Sequence, residues 1–312
     1  MIEAALMIEG QDGLNWPRWQ KIARLAEDLG FAGLYRSDHF TNAVPPDKDS
    51  LELWVSLTWL ACNTQRIEFG PLVTPVSFRH PTLTARMAAA VDDLSGGRLT
   101  LGLGAGWQER EHTLFGFDLL SIPERMRRFE EGLQVITRLL QSDRPVDYSG
   151  RYYHLQEAVL LPRPQRPGGP PILIGGNGKK YTLPLAARFA REWNAVFLTP
   201  EQFRERSLRL DELLEKEGRD PHSLNRSVMV GTVFGRDQAE VERRVQERTG
   251  GKAGPAELRS RGVIVGTAPE FIEQIKRLEE AGAQRVMLQW LYLDDLEGIQ
   301  AMAESVLPEL QR

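Results

Sequence analysis

Short apolar runs rich in β-branched and aromatic residues recur along the chain, and each is followed by a segment of helical period. Eight runs stand out: 2–8, 33–35, 67–73, 99–103, 172–174, 195–198, 228–234 and 286–290. Between them the periodicity predicts helices near 16–29, 51–61, 82–94, 123–140, 181–191, 201–217, 238–248 and 270–281, with a last one near 296–310. In the first helix Trp19, Ile22, Ala23, Ala26 and Leu29 form one apolar stripe, and Gly30 stops it. Eight strand–helix units are the pattern of an α/β fold of the (β/α)₈ kind, the TIM barrel. A doubly wound open sheet, the competing arrangement, seldom needs eight evenly spaced units.

A minimal barrel takes ~250 residues, so the 312 residues read as one domain, 1–312, with insertions near 107–122, 144–171 and 249–269. The second contains PRPQRPGGPP, which suits a rigid loop feeding a strand. The third, around TGGKAGP, is expected to be a mobile loop over the barrel mouth. Thirty-nine basic against 43 acidic residues give a net charge of −4, which offers no field for nucleic acid or an anionic membrane. The one cysteine, Cys62, forms no internal disulfide. With no basic leader and no apolar stretch near ~20 residues, a soluble, cytoplasmic chain is expected.

Such a barrel does its chemistry at the carboxyl ends of its strands. Polar or glycine-rich sequence stands at four consecutive ends: Ser37-Asp38-His39-Phe40, then Val73-Thr74-Pro75 with Phe78-Arg79-His80-Pro81, then Gly102 to Trp107 with Glu109, Glu111 and His112, then Gly175-Gly176-Asn177-Gly178. Together they point to one elongated ligand site. Glycines entering a helix let backbone N–H groups approach a phosphate, and small residues at 104–106 let a flat ring lie against the backbone. GLGAGW lacks the third glycine of a dinucleotide fingerprint. Asp38-His39 is a titratable pair able to hold or move a proton. His80, before a proline, reads as a helix cap, and His112 as a partner for a neighbouring carboxylate. Asp38, His39, His80 and His112 show no HxH or HExxH spacing, so no metal site is read, and no GxSxG elbow supports a serine hydrolase.

SDHF, TPVSFRHP, LSGGRLTLGLGAGW followed by EH, GRYYHL and PRPQRPGGPPILIGG resemble the bacterial luciferase-like superfamily, and within it the branch that uses the deazaflavin coenzyme F420. The resemblance implies a barrel with insertions, a homodimer, and F420 or a flavin bound at the mouth. It implies contacts from Asp38, His39, Gly104, Ala105 and Gly106 to the ring, and from Gly175, Gly176, Asn177 and Gly178 to the coenzyme phosphate. It places Leu72, Val73 and Thr74 on a third-strand bulge behind the ring. The family often has a non-prolyl cis peptide in that bulge, whereas Pro71 here makes Gly70–Pro71 the cheaper place for one. His39 is implied as the catalytic group, moving or orienting a proton as hydride passes between F420 and a small organic substrate.

Family dehydrogenases acting on glucose 6-phosphate have a glutamate where Trp107 stands, and 198–200 lack their lysine, so sugar phosphates are not expected. Trp107 and Trp290 suggest an apolar substrate. Three alternatives accompany this reading: an FMN-dependent monooxygenase using reduced flavin and oxygen, a non-catalytic flavin-binding protein of the same fold, and a metal-dependent hydrolase.

Overall fold

In the computed structural model, which describes residues 1–310, the strand–helix rhythm curls into a barrel. β1 (Glu3–Ile8) leads to α1 (Trp16–Asp28), and β2 (Gly33–Arg36) leads to α2 (Leu53–Asn63). The third predicted strand divides into β3 (Glu68–Pro71) and β4 (Thr74–Pro75) before α3 (Pro81–Leu94). After β5 (Leu101–Gly104) come α4 (Glu109–Phe115), α5 (Ile122–Gln141), β6 (Val146–Ser149) and β7 (His154–Ala158). β8 (Ile172–Gly175) precedes α6 (Thr182–Phe189), and β9 (Glu192–Val196) precedes α7 (Pro200–Lys216). The chain closes with β10 (Asn225–Phe234), α8 (Gln238–Thr249), α9 (Pro255–Ser260), β11 (Val263–Gly266), α10 (Ala268–Glu280), β12 (Arg285–Trp290) and α11 (Leu296–Leu310).

Nine strands run side by side in the order β3-β2-β1-β12-β10-β9-β8-β5-β4, all pairings parallel. A parallel bridge between Phe69 and Leu99 draws the two edges together, so the barrel is nearly closed. Period-two alternation sorts the side chains into two shells. Leu6, Ile8, Leu288 and Trp290 face the helices, whereas Ala5, Met7, Met287 and Tyr35 fill the interior. Helix starts are well specified. Thr199 and Gln202 form a capping box on α7, a device of about 1 kcal/mol, and His80 caps α3 as its position before a proline suggested.

The amino ends of the strands are plugged by charge. Arg285 donates to Glu3 (2.5 Å), Glu68 (2.7 Å) and the Tyr35 hydroxyl (2.8 Å), with Glu192 3.6 Å away. Burial opposes the charge on Arg285, but Tyr35 and the three carboxylates outweigh it and raise its pKa. β9 therefore begins at Glu192, three residues before the predicted strand: its polar start pairs into this buried cluster instead of lying in a loop.

The insertions carry structure of their own. The segment 144–171 holds an antiparallel hairpin, β6 with β7. The segment 249–269 is not an irregular loop: α9 packs beside β11, and β11 extends the sheet by pairing with Gly231–Phe234 of β10. Val233, Val241, Val245, Leu258, Val263 and Val265 give it a small core. Its backbone presses on Phe197, a residue with φ of 51° just after β9; a Cβ on Gly262 would lie 2.4 Å from the Phe197 carbonyl carbon. No helix among the described residues is long and apolar enough to cross a membrane.

Candidate active site

The carboxyl ends of the strands surround a cavity of about 470 Å³, in the range of small-molecule and cofactor sites. Its floor is shaped by the break between β3 and β4. The cis peptide there is Leu72–Val73, while Gly70–Pro71 is trans, and Val73 turns into the barrel. A Cβ on Gly104 would come within 2.5 Å of Val73 Cγ2, and one on Gly175 within 3.0 Å of Val73 Cγ1. Gly104, expected to admit a flat ring, and Gly175, expected at the phosphate, thus both make room for the Val73 side chain. Met7, Leu72, Val196 and Met229 complete an apolar floor.

His39, Leu72, Val73, Gly104, Ala105, Gly106, Trp107, Gly175 and Gly176 of the expected site residues all line this cavity. Asp38, Thr74, Asn177, Gly178 and Trp290 do not. Asp38 turns away and is spent on Arg79 (2.5 Å) and the Thr74 hydroxyl (2.7 Å); Arg79 also holds Glu52 (2.8 Å). The Asn177 side chain pairs with both the carbonyl (2.7 Å) and the N–H (3.0 Å) of Val196, acting as a piece of strand edge. Trp290 is only 1% exposed. It stands on the helix-facing side of β12 beside Arg244, so its expected substrate contact is replaced by packing.

His39 lines the cavity and is paired with a buried carboxylate. Its Nδ1 lies 2.8 Å from Glu111 Oε1, and the other oxygen of Glu111 accepts from the Phe40 N–H at 3.0 Å. A carboxylate only accepts, so Nδ1 carries the hydrogen, and Nε2 has no hydrogen-bond partner among the described residues. Glu111 is 1% exposed, held on the short helix α4 inside the first insertion. Burial opposes the charged imidazole, but the hydrogen bond His39 donates to Glu111 and the charges of Glu111, Glu9 and Asp38 prevail, raising the His39 pKa. The Trp107 ring meets His39 edge-on at 5.7 Å.

His112, by contrast, is consumed: Nδ1 meets the Gln108 carbonyl (2.7 Å) and Nε2 the Ser77 hydroxyl (2.8 Å), which fastens α4 to the turn after β4. Arg36 is buried under Trp19 and donates to the carbonyls of Leu51 and Glu52 and to Ser56, fixing the 37–52 loop. Burial pushes its pKa down to about 10.

At the other end of the cavity, Gly176 (φ 123°) leads to the amino end of α6, where Thr182 also lines the wall. Arg125, in the first turn of α5, faces the same cavity and has no ion pair or side-chain hydrogen bond among the described residues. Burial, then the neighbouring Arg128, lowers its pKa. A helix amino end and a guanidinium unpaired among the described residues thus line the same cavity, a combination that suits an anion. Arg125 escaped the sequence reading because a helical arginine carries no signal of its own. Glu9 escaped too, although the strand-end rule applied to β1 would have found it: it lines the cavity between Gln11 (2.9 Å) and Gln289 (2.7 Å). No group of three histidine, cysteine or acidic side chains able to hold a metal occurs among the described residues.

The luciferase-like monooxygenase family model matches residues 5–285. The F420-dependent glucose-6-phosphate dehydrogenase of Microbacterium testaceum is 28% identical over 325 residues, spanning 92% of this chain and 91% of its own. The F420-dependent hydroxymycolic acid dehydrogenase of Mycobacterium tuberculosis is 27% identical over 316 residues, 93% of this chain and 83% of its own. An F420-dependent secondary alcohol dehydrogenase, solved with an F420–acetone adduct, shares the fold with a TM-score of 0.86 at 21% identity, over 100% of this chain and 99% of its own. The barrel and a family match covering most of the chain agree: the chain belongs to the luciferase-like monooxygenase family.

Proposed function

We propose that this luciferase-like oxidoreductase transfers a hydride between the deazaflavin coenzyme F420 and a small organic substrate at the mouth of the barrel. The observation that carries the reading is the His39–Glu111 pair, whose free ring nitrogen adjoins a cavity with an apolar floor and an anion-binding end. The F420-dependent relatives, matched over most of the chain, support the choice of coenzyme.

The residues present fit such a group. Leu72 and Val73 would back the ring, and Gly176, Thr182 and Arg125 would hold its phosphate. F420, when bound, supplies a ring carbon that gives up or accepts a hydride. His39 Nε2 exchanges a proton with the reacting heteroatom of the substrate, and Glu111 steadies the imidazolium and fixes the ring orientation. General acid–base help of this kind contributes about 10²- to 10⁴-fold, and holding the reactants together supplies as much as ~7–11 kcal/mol of the barrier. Trp107, 63% exposed at the rim, is the residue placed to cover an apolar substrate.

Reduced FMN with oxygen is the second reading, because the anion end would hold the phosphate of either coenzyme. Titration with each coenzyme, followed by quenching of tryptophan fluorescence, separates them: saturable F420 binding at least tenfold tighter than FMN is expected, and the reverse order overturns the assignment. A purely carrying role would leave hydride transfer to an added substrate undetectable even with F420 bound. We place the protein in the cytoplasm as a homodimer; Val55 on α2 and Leu83 and Leu94 on α3 are exposed apolar side chains suited to a second copy, and light scattering would report the mass.

A further inference from the structure

Four ionisable side chains line the cavity: Glu9, His39, Glu111 and Arg125. Three already have a place, His39 and Glu111 as a proton-handling pair and Arg125 at the anion end. Glu9 has none. It directly follows β1, and period-two alternation turns it to the same side as Met7, into the cavity. The parallel register that sets Ile8 opposite Arg36 brings Glu9 beside Ser37, two residues before His39. Glu9 therefore belongs to the His39 end. The charges felt by its neighbours agree: Glu9 favours the protonated form of His39, whereas Arg125 responds to burial and to Arg128.

Neutral donors hold this carboxylate in place. Gln289 Nε2 donates to Oε1 at 2.7 Å, and Gln11 Nε2 donates to Oε2 at 2.9 Å. The Gln11 amide is oriented by a directed chain. The Gly10 N–H donates to the Ser37 hydroxyl (2.8 Å), whose single hydrogen goes to Gln11 Oε1 (2.6 Å), leaving Nε2 for Glu9. Each Glu9 oxygen accepts one of these bonds, and a carboxylate oxygen has room for a second donor. Arg36, which feels the charge of Glu9, spends its guanidinium on the carbonyls of Ser37, Leu51 and Glu52 and on Ser56. The result is a half-buried carboxylate, fixed in orientation on the cavity wall, with no bonded cation among the described residues.

We propose that Glu9 selects the substrate, accepting from an N–H or O–H donor, best a protonated amine, borne close to the carbon that exchanges hydride. This rests on the coenzyme reading given above and names the substrate class: an alcohol or carbonyl compound with a donor group beside the reacting carbon. A donor there meets both charge and geometry, since an ionised acceptor makes the stronger hydrogen bond. The phosphate of the coenzyme is repelled by a carboxylate, and its site is at the other end of the cavity.

The test measures binding and needs no turnover. The whole protein, with and without F420, is titrated with octan-2-ol, its vicinal diol and its vicinal amino alcohol, followed by tryptophan fluorescence. Wild type is compared with Glu9→Gln and Glu9→Leu. In wild type the amino alcohol is expected to bind about ten- to a hundredfold more tightly than octan-2-ol, with the diol between them. Glu9→Gln should remove most of the advantage of the amine, and Glu9→Leu should bind all three alike. F420 affinity and the urea midpoint of Glu9→Gln should stay at their wild-type values. Equal binding of the three probes by wild type would overturn the proposal. So would a uniform loss for all three in Glu9→Gln with their ranking kept, the mark of a merely structural role. A loss of F420 affinity in Glu9→Gln would assign the carboxylate to the coenzyme and overturn it as well. Failure of wild type to bind F420 would remove the coenzyme reading alone, because the ranking of the probes in the coenzyme-free protein still decides the role of Glu9.

Discussion

The two ends of the barrel treat buried charge in opposite ways. At the amino end Arg285 is enclosed by Glu3, Glu68, Glu192 and Tyr35, and its donors are spent on groups of the protein itself. At the carboxyl end polar groups are left with capacity: among the described residues Arg125 has no partner and His39 keeps one nitrogen unpaired. The difference shows where the molecule commits interactions to stability and where it reserves them for a ligand. Satisfied buried ion clusters hold a fold in place, while removing one member leaves an uncompensated charge. Unsatisfied groups inside a cavity are a recognition surface.

Arg285→Met is the strongest way to break the comparison. It strands the buried Glu192 and should cost about 3–5 kcal/mol, read by urea unfolding, with F420 affinity unchanged in the molecules that remain folded. A loss of affinity without loss of stability would place function at the wrong end. His39→Ala should do the converse, lowering turnover about 10²- to 10⁴-fold while moving the unfolding midpoint little. Arg125→Met comes next, weakening coenzyme binding about tenfold, on the scale of one charge-assisted hydrogen bond, and flattening its salt dependence.

Glu111→Gln is the finest probe. Glu111 holds the His39 pKa up against burial, so the variant should shift the pH dependence of turnover toward acid. The sign carries over to stability. With its pKa raised on folding, His39 stabilises fully below the ordinary imidazole value near 6.5, and that contribution fades as pH rises through the folded value. In Glu111→Gln the fading should move to lower pH, and an unmoved profile would detach Glu111 from the proton held on His39.

The architecture was legible in the sequence because period-two and period-3.6 patterns reflect burial directly. The ends of β9 and the division of β3 from β4 were not, for a common reason. Glu192 and Asn194 are polar residues buried by partners far away in the chain, and the turn at Leu72–Val73 is paired to the space over Gly104 and Gly175. The strand-end rule led to His39, Trp107, Gly104, Gly106, Gly175 and Gly176, which line the cavity, but it could not separate residues facing the cavity from those facing outward. Asp38 and His39 are adjacent, yet one is bound to Arg79 and the other opens on the cavity. Trp290 misled because an aromatic side chain near a strand end reads alike on either face of the sheet.

The contact between Gly262 and Phe197 gives the last insertion a reach beyond its own small valine core. Phe197 is part of the cavity wall, and its left-handed backbone leaves it few other places to go. A change of one or two residues in 255–266 can therefore reset the depth of the pocket from outside, sparing every side chain that meets coenzyme or substrate. A segment that contributes no side chain to the pocket thus still shares in shaping its wall.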